Sequence, residues 1–104
     1  MLVSFADIYI GKNSTLAYRA MLTTNANPNA PYNELCKIYP PKHEKIWIGD
    51  NVWIGAGAIV LPGCKIGNNC VVAAGSVVCS DVPDNVMVAG APATIKKKIN
   101  LKVQ

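Results

Sequence analysis

The chain has 104 residues, 51% of them hydrophobic and 15% charged, with a formal net charge of +4. This length sets one domain as the expectation, and the composition excludes a disordered polypeptide. No apolar run approaches the roughly 18 residues of a membrane-spanning helix, and MLVSFADIYIGKN lacks the basic start and long apolar stretch of a secretory leader. A cytoplasmic chain with no membrane partner is therefore expected.

In chain order, the first regularity is an aliphatic residue at Ile10, Leu16 and Leu22, with Ser14, Ala20 and Ala26 four residues after each. The beat lapses over PNAPYNELCKIYPP, residues 28–41, which reads as a loop leaving and rejoining one corner of the fold. It is expected back at Lys42, six before Ile48, with Ile46 in the small-residue slot. From Ile48 it runs through Ile54, Val60, Ile66, Val72 and Val78, and Val52, Ala58, Cys64, Cys70, Ser76 and Val82 fill the companion slots.

A strand repeats every two residues and a helix every 3.6, so neither alone gives a period of six. A solenoid does. Three six-residue steps close a triangular coil, and stacked coils bury one aliphatic and one smaller side chain per step. Each short strand then pairs in parallel with the strand one coil away. Asn51, Gly57, Gly63, Asn69 and Gly75 fall where the corners must be, and these residue types tolerate the left-handed backbone of a tight turn. With the loop omitted, eleven steps run from Ser4 to Val78. After Asp81 the beat is lost. The extension 84–104 is expected to hold a final strand or two, with a short helix from Ala93 to Leu101 as the alternative.

The four cysteines, Cys36, Cys64, Cys70 and Cys79, form no CxxC pair, and His43 is the sole histidine. No metal site is expected, and the thiols read as small core fillers. Lys96, Lys97, Lys98 and Lys102 gather at one end rather than interleaving with aromatics over a face, which argues against a nucleic-acid partner. They read as a solvated tail or as a contact for a phosphorylated ligand.

The segments IGKN, IGDNVWIGAGAIVLPG, IGNNCVVAAGSVV and DVPDNVMVAGAPA together resemble the hexapeptide-repeat acyltransferases, in the branch of the maltose and galactoside O-acetyltransferases. The resemblance covers roughly residues 8–98. It implies a left-handed parallel β-helix, against the usual crossover hand. It also implies a homotrimer, acetyl-CoA as co-substrate in the groove between neighbouring solenoids, and a small hydroxyl-bearing acceptor such as a sugar.

The family places a general-base histidine just ahead of the protruding loop. Laid on this chain, that position is Asn27, and an amide cannot take up a proton. His43, where the loop returns, is the candidate replacement base. By the same resemblance Trp53, Ala56 and Ala74 line the acetyl-CoA groove, where small side chains admit the pantetheine arm. Cys79-Ser80-Asp81 stands where the family has Thr-Lys-Asp, so the phosphate-binding lysine becomes Ser80. A later arginine falls on Thr94, and Lys96 and Lys97 are placed to supply the missing charge. Family members carry further segments before the Ile-Gly corner, so either an assembly covering the open first coil or a piece of a longer chain is expected. Two functions follow: acetyl transfer to a hydroxyl, or a non-catalytic binding or structural trimer that kept the solenoid.

Overall fold

The computed structural model describes residues 2–3, 7–26 and 42–100, with side chains over 7–24 and 44–100. Fourteen short strands form within them: β1 (Leu2–Val3), β2 (Ile8–Ile10), β3 (Thr15–Leu16), β4 (Met21–Thr23), β5 (Asn25–Ala26), β6 (Lys42–His43), β7 (Ile46–Ile48), β8 (Trp53–Ile54), β9 (Ile59–Val60), β10 (Lys65–Ile66), β11 (Val71–Val72), β12 (Val77–Val78), β13 (Val86–Gly90) and β14 (Ala93–Lys98). Three parallel faces result. The first holds β2-β7-β10, the second β3-β8-β11-β13 and the third β1-β4-β9-β12. The chain visits them in rotation, one strand per face. This is the left-handed parallel β-helix that the repeat and the resemblance imply.

The register shows why six is the working period. Ile48 pairs with Ile66, Ile54 with Val72 and Val60 with Val78, each partner one coil away. These residues are wholly buried or nearly so, together with Ile46, Val52, Ala58, Cys64, Cys70 and Ser76 from the companion slots. The core is thus a single column of side chains along the solenoid axis. Ser14 sits in a companion slot and meets its polar needs there, its Oγ donating to the Gly49 carbonyl at 2.7 Å and accepting from the Val52 N–H at 3.1 Å.

The corners carry the special backbone. Asn13, Asn51, Asn69 and Asn85 turn the chain from the first face to the second, all with φ between 54° and 60°. Arg19, Gly57 and Gly75 do so between the second and third faces and Gly63 between the third and first, while Gly90 reverses the chain from β13 into β14 within the second sheet. The five corners expected from sequence are all left-handed. Side chains also bind one corner to the next. The Asn51 amide donates to Asn69 at 3.2 Å and the Asn69 amide to Asn85 at 3.1 Å. Beside them Asp50, Asn68 and Asp84 each accept a backbone N–H from the preceding coil, from Lys12, Asp50 and Asn68 respectively, at 2.7–2.8 Å. That contact leaves no room for a Cβ at Gly11, Gly49 or Gly67.

Several sequence expectations are corrected. Lys42 is not a step of the coil. Ile10 pairs with Ile48, 38 residues on, where the next coil pairs residues 18 apart, so the excursion adds twenty residues and not fourteen. Its base is an antiparallel hairpin in which Ala26 faces Lys42 and Asn25 faces His43, so Ala26 is not a companion-slot residue either. Ser4, the first counted step, lies outside the described residues, and Leu2 pairs with Leu22 instead.

The coil also continues past Asp81. Val82 bridges to Ile66 and Val88 pairs with Val72, each 16 residues apart, because the corner at Cys79–Asp81 is two residues shorter than its predecessor. This contraction is what hid the last coil from a search in sixes. Finally, the helix weighed for Ala93–Leu101 does not form among the described residues: Ala93–Lys98 is a strand, antiparallel to β13, with Lys96 as an extra residue between the pairs Val88–Ile95 and Met87–Lys97. Backbone pairing to β13 outcompetes the helical option in this segment.

The core and the corners make separable contributions. Ile54→Ala is expected to cost about 2–5 kcal/mol of stability. Asn51→Ala is expected to cost about 1–3 kcal/mol, from a left-handed backbone forced on alanine and one lost amide bond. Asn51→Gly should recover the backbone part. Urea unfolding of the three variants checks this, and equal losses for Asn51→Ala and Asn51→Gly would contradict the role given to positive φ.

Candidate functional site

The corner between the second and third faces brings together two of the residues the resemblance singles out. Ala56 and Ala74 occupy the same position in successive coils, with Tyr18 in that position one coil earlier. Backbone bonds hold the column: Gly57 N–H donates to the Tyr18 carbonyl at 3.0 Å and Gly75 N–H to the Ala56 carbonyl at 2.9 Å. Beside the alanines, a Cβ built on Gly57 or Gly75 would meet nothing within 4 Å. The result is an open, shallow furrow of methyl groups and bare backbone along one edge of the solenoid. Such an edge can lie against an extended, flexible, largely apolar chain at close range.

The C-terminal hairpin extends this edge. Gly90, in register with Ala74, takes φ 103° where the chain reverses into β14, and its N–H donates to the Ser76 Oγ at 3.2 Å. Thr94 stands opposite Ala89 on β14, so it lies at the foot of the furrow. Lys96, Lys97 and Lys98 follow on the same exposed strand, which runs back toward the asparagine edge, with Lys97 opposite Met87 and Lys98 opposite Val86. Cys79 and Ser80 are exposed at the following corner, across β12 from Ala74. Asp81 beside them accepts the Lys65 N–H at 2.9 Å and so fixes the shortened turn. In a single chain, therefore, Ala56, Ala74 and Thr94 share one edge, whereas Cys79 and Ser80 belong to the neighbouring one.

Trp53 is set apart from both. Its indole stands on the outer side of the second face, 56% exposed, and opens toward the asparagine edge rather than toward Ala56. There it borders a cavity of about 210 Å³ with Asn13, Thr15, Asn51, Asn69 and Ile99. The base candidates are placed only in part. Asn27 lies outside the described residues. The backbone of His43 pairs with Asn25 at the base of the loop, and the N–H of Glu44 next to it donates to the Thr24 carbonyl at 3.1 Å. The loop ends do meet at one corner, as the sequence suggested, and the Glu44 carboxylate lies against Gly63 of the following coil.

Sequence reasoning missed Tyr18 and Arg19. Arg19 takes the corner slot of Gly57 and Gly75 at φ 63°, and its guanidinium lies 5.4 Å from the Tyr18 ring centroid. The signal was available, since Arg19 stands three residues after Leu16, as Gly57 does after Ile54. Also missed was a stack on the first face, where the Tyr9 and Trp47 ring centroids lie 5.6 Å apart with nearly parallel planes and the Lys65 ammonium lies 5.1 Å from the Trp47 ring centroid. Among the described residues no cluster of His, Cys, Asp or Glu could hold a metal ion, and no helix is long and apolar enough to cross a membrane.

An open small-residue edge on a six-residue left-handed solenoid defines a class of protein, and the comparisons agree with it. Residues 45–80 match the family described as bacterial transferase hexapeptide (six repeats). The galactoside O-acetyltransferase of Lactococcus lactis is 42% identical over 95% of this chain and 47% of its own length. A galactoside acetyltransferase solved in complex with coenzyme A superposes with a TM-score of 0.84 at 37% identity, over 95% of this chain and 48% of that one. A maltose O-acetyltransferase from Clostridium difficile 630 does so with a TM-score of 0.67 at 30% identity, over 96% and 67%. The chain belongs to the hexapeptide-repeat acyltransferase family. It spans about half the length of the curated relatives it matches.

The thiols offer a direct check on the core. Cys64 and Cys70 are buried and Cys79 is exposed. Burial pushes the Cys70 thiol above its ordinary value, opposed by backbone hydrogen bonds from Val86 and Asn85. The thiolate is the reactive form, so Cys70 should stay inert at neutral pH while the protein is folded. With Cys36 replaced by serine, a thiol reagent should label Cys79 rapidly and the other two only on unfolding, read by mass spectrometry. Fast labelling of Cys70 would contradict the packing described.

Proposed function

We infer that the chain carries out acetyl transfer from acetyl-CoA to a hydroxyl of a sugar or similar small acceptor. The observation that carries this reading is the furrow at Ala56 and Ala74, open beside Gly57 and Gly75 and reaching Thr94 at the start of β14. Its shape and apolar lining fit a pantetheine arm, and the exposed ammonium groups of Lys96 and Lys97 fit the phosphates of the nucleotide end. The coenzyme A complex of the related galactoside acetyltransferase supports the same donor. Cys79 and Ser80 lie on the neighbouring edge, so they meet the donor of an adjacent subunit, in a homotrimer whose sites lie between solenoids.

The chemistry needs one proton acceptor. A base removes the acceptor hydroxyl's proton as its oxygen attacks the thioester carbonyl; the tetrahedral intermediate collapses, an ester forms, and coenzyme A leaves as its thiol. Asn27 cannot accept that proton. His43 lies on the strand that pairs with Asn25–Ala26 and offers an imidazole. A second reading, a non-catalytic binding or structural trimer, is favoured by Asn27, Ser80 and Thr94, which all depart from the family at functional positions while the core stays regular.

Release of the coenzyme A thiol, followed with acetyl-CoA and a panel of pyranosides, separates the two. Turnover that falls about 10²- to 10⁴-fold in His43→Ala is the expected result. Turnover unchanged in His43→Ala removes that residue as the base, and binding of acetyl-CoA without any turnover favours the non-catalytic trimer. Lys97→Glu should weaken acetyl-CoA binding at low salt and do so less at high salt, because exposed charges are screened.

A further inference from the structure

The cavity beside Trp53 is not explained by the donor furrow. It lies on the asparagine edge, at the other end of β8 from Ala56, and its lining contains no carboxylate, ammonium or guanidinium group. What it presents is one large exposed aromatic ring, the side chain of Ile99 and a row of neutral hydrogen-bonding groups from Asn13, Thr15, Asn51 and Asn69.

The asparagines are rigid. Each has its backbone fixed at positive φ, and the Asn51–Asn69–Asn85 ladder holds the amides in one orientation. An amide group has two donor hydrogens and a carbonyl with two acceptor positions. The ladder uses one hydrogen each on Asn51 and Asn69, so a second remains on both for a ligand. The Asn51 carbonyl oxygen and the exposed Thr15 side chain add acceptors. Ile99 is held at the rim by its N–H bond to the Asn85 carbonyl at 2.7 Å.

We propose that this cavity is a binding site for a neutral pyranose, whose C–H face lies on the Trp53 indole while its hydroxyls bond the amides of Asn51 and Asn69. A sugar ring has one face of C–H groups and a rim of hydroxyls that both donate and accept, which matches an aromatic plate bordered by amides. A phosphate or carboxylate would find no counter-charge among the lining side chains, and an apolar ligand would leave the amides unpaired at a cost. The site lies on a different edge from both Ala56 and His43, so it is a docking face apart from the proposed transfer centre, and sugar binding here does not require that the chain be catalytic. The test omits acetyl-CoA for that reason, so failure of this site and failure of the transfer reading are distinguishable.

Trp53 is itself the reporter. Trp47 is the other tryptophan, and Trp47→Phe keeps an aromatic ring between Tyr9 and Lys65 while leaving Trp53 as the only indole. In that background, titration with methyl galactoside, methyl glucoside and maltose should shift Trp53 emission saturably for at least one of them. The midpoint is expected at about 1–10 mM, as for a small neutral ligand held by a few contacts. Asn51→Gly preserves the left-handed corner but removes the amide, and it should weaken binding about tenfold, the equivalent of one lost hydrogen bond. Trp53→Leu, followed by calorimetry, should abolish measurable binding while the circular dichroism spectrum stays unchanged. No saturable shift with any of the three sugars overturns the proposal. So does binding that survives Trp53→Leu, or glucose 6-phosphate binding more tightly than methyl glucoside.

Discussion

Everything in this fold depends on turning the chain at each corner within a few residues and sending the next strand onto a new face. The left-handed backbone residue makes that possible. Asparagine carries it on one edge, glycine on another, and Arg19 carries it at the start of the glycine edge. Because the turns recur in register, their side chains and carbonyls stack as well, and each corner supplies hydrogen bonds to its neighbour. The aliphatic column fills the interior only because the corners hold the strands in phase. A solenoid of this kind has no long-range loop closures in its repeated part, and each coil is stabilised by its immediate neighbours.

The same corners make the surface useful. A turn built on Ala-Gly leaves almost nothing above the backbone, so a ligand can approach it closely. A turn built on Asp-Asn does the opposite and covers the backbone with fixed amides. The two edges of the second face therefore have different chemistries, one apolar and bare, the other polar and rigid. A ligand with a long flexible arm and a ligand rich in hydroxyls would each find a matching edge.

Much of the fold was legible in the sequence because a period of six leaves few alternatives and because asparagine and glycine mark left-handed corners. Ile48 to Val78 and the corners at Asn51, Gly57, Gly63, Asn69 and Gly75 could be placed from spacing alone. Spacing failed where residues were added or removed at a corner. The twenty-residue excursion cannot be phased by counting back from Ile48, which puts a step at Lys42, a residue that pairs in a hairpin instead. The two-residue contraction at Cys79–Asp81 likewise concealed the coil through Val82 and Val88. Of the candidate site, the alanine column was visible through the family resemblance. The Trp53 cavity was not, because it is formed by residues 13 to 99 that meet only when coils stack. Arg19 was overlooked because it is a charged residue in a slot that glycine usually fills.

The central claim is that the alanine edge receives acetyl-CoA. Calorimetric titration of acetyl-CoA into the protein, near neutral pH and at low salt, tests it most directly when repeated on Ala74→Leu, which fills the furrow without touching the column inside. The account predicts saturable binding near one site per subunit, weakened at least about tenfold by the leucine. No heat at millimolar acetyl-CoA, or equal affinity in Ala74→Leu, would contradict it.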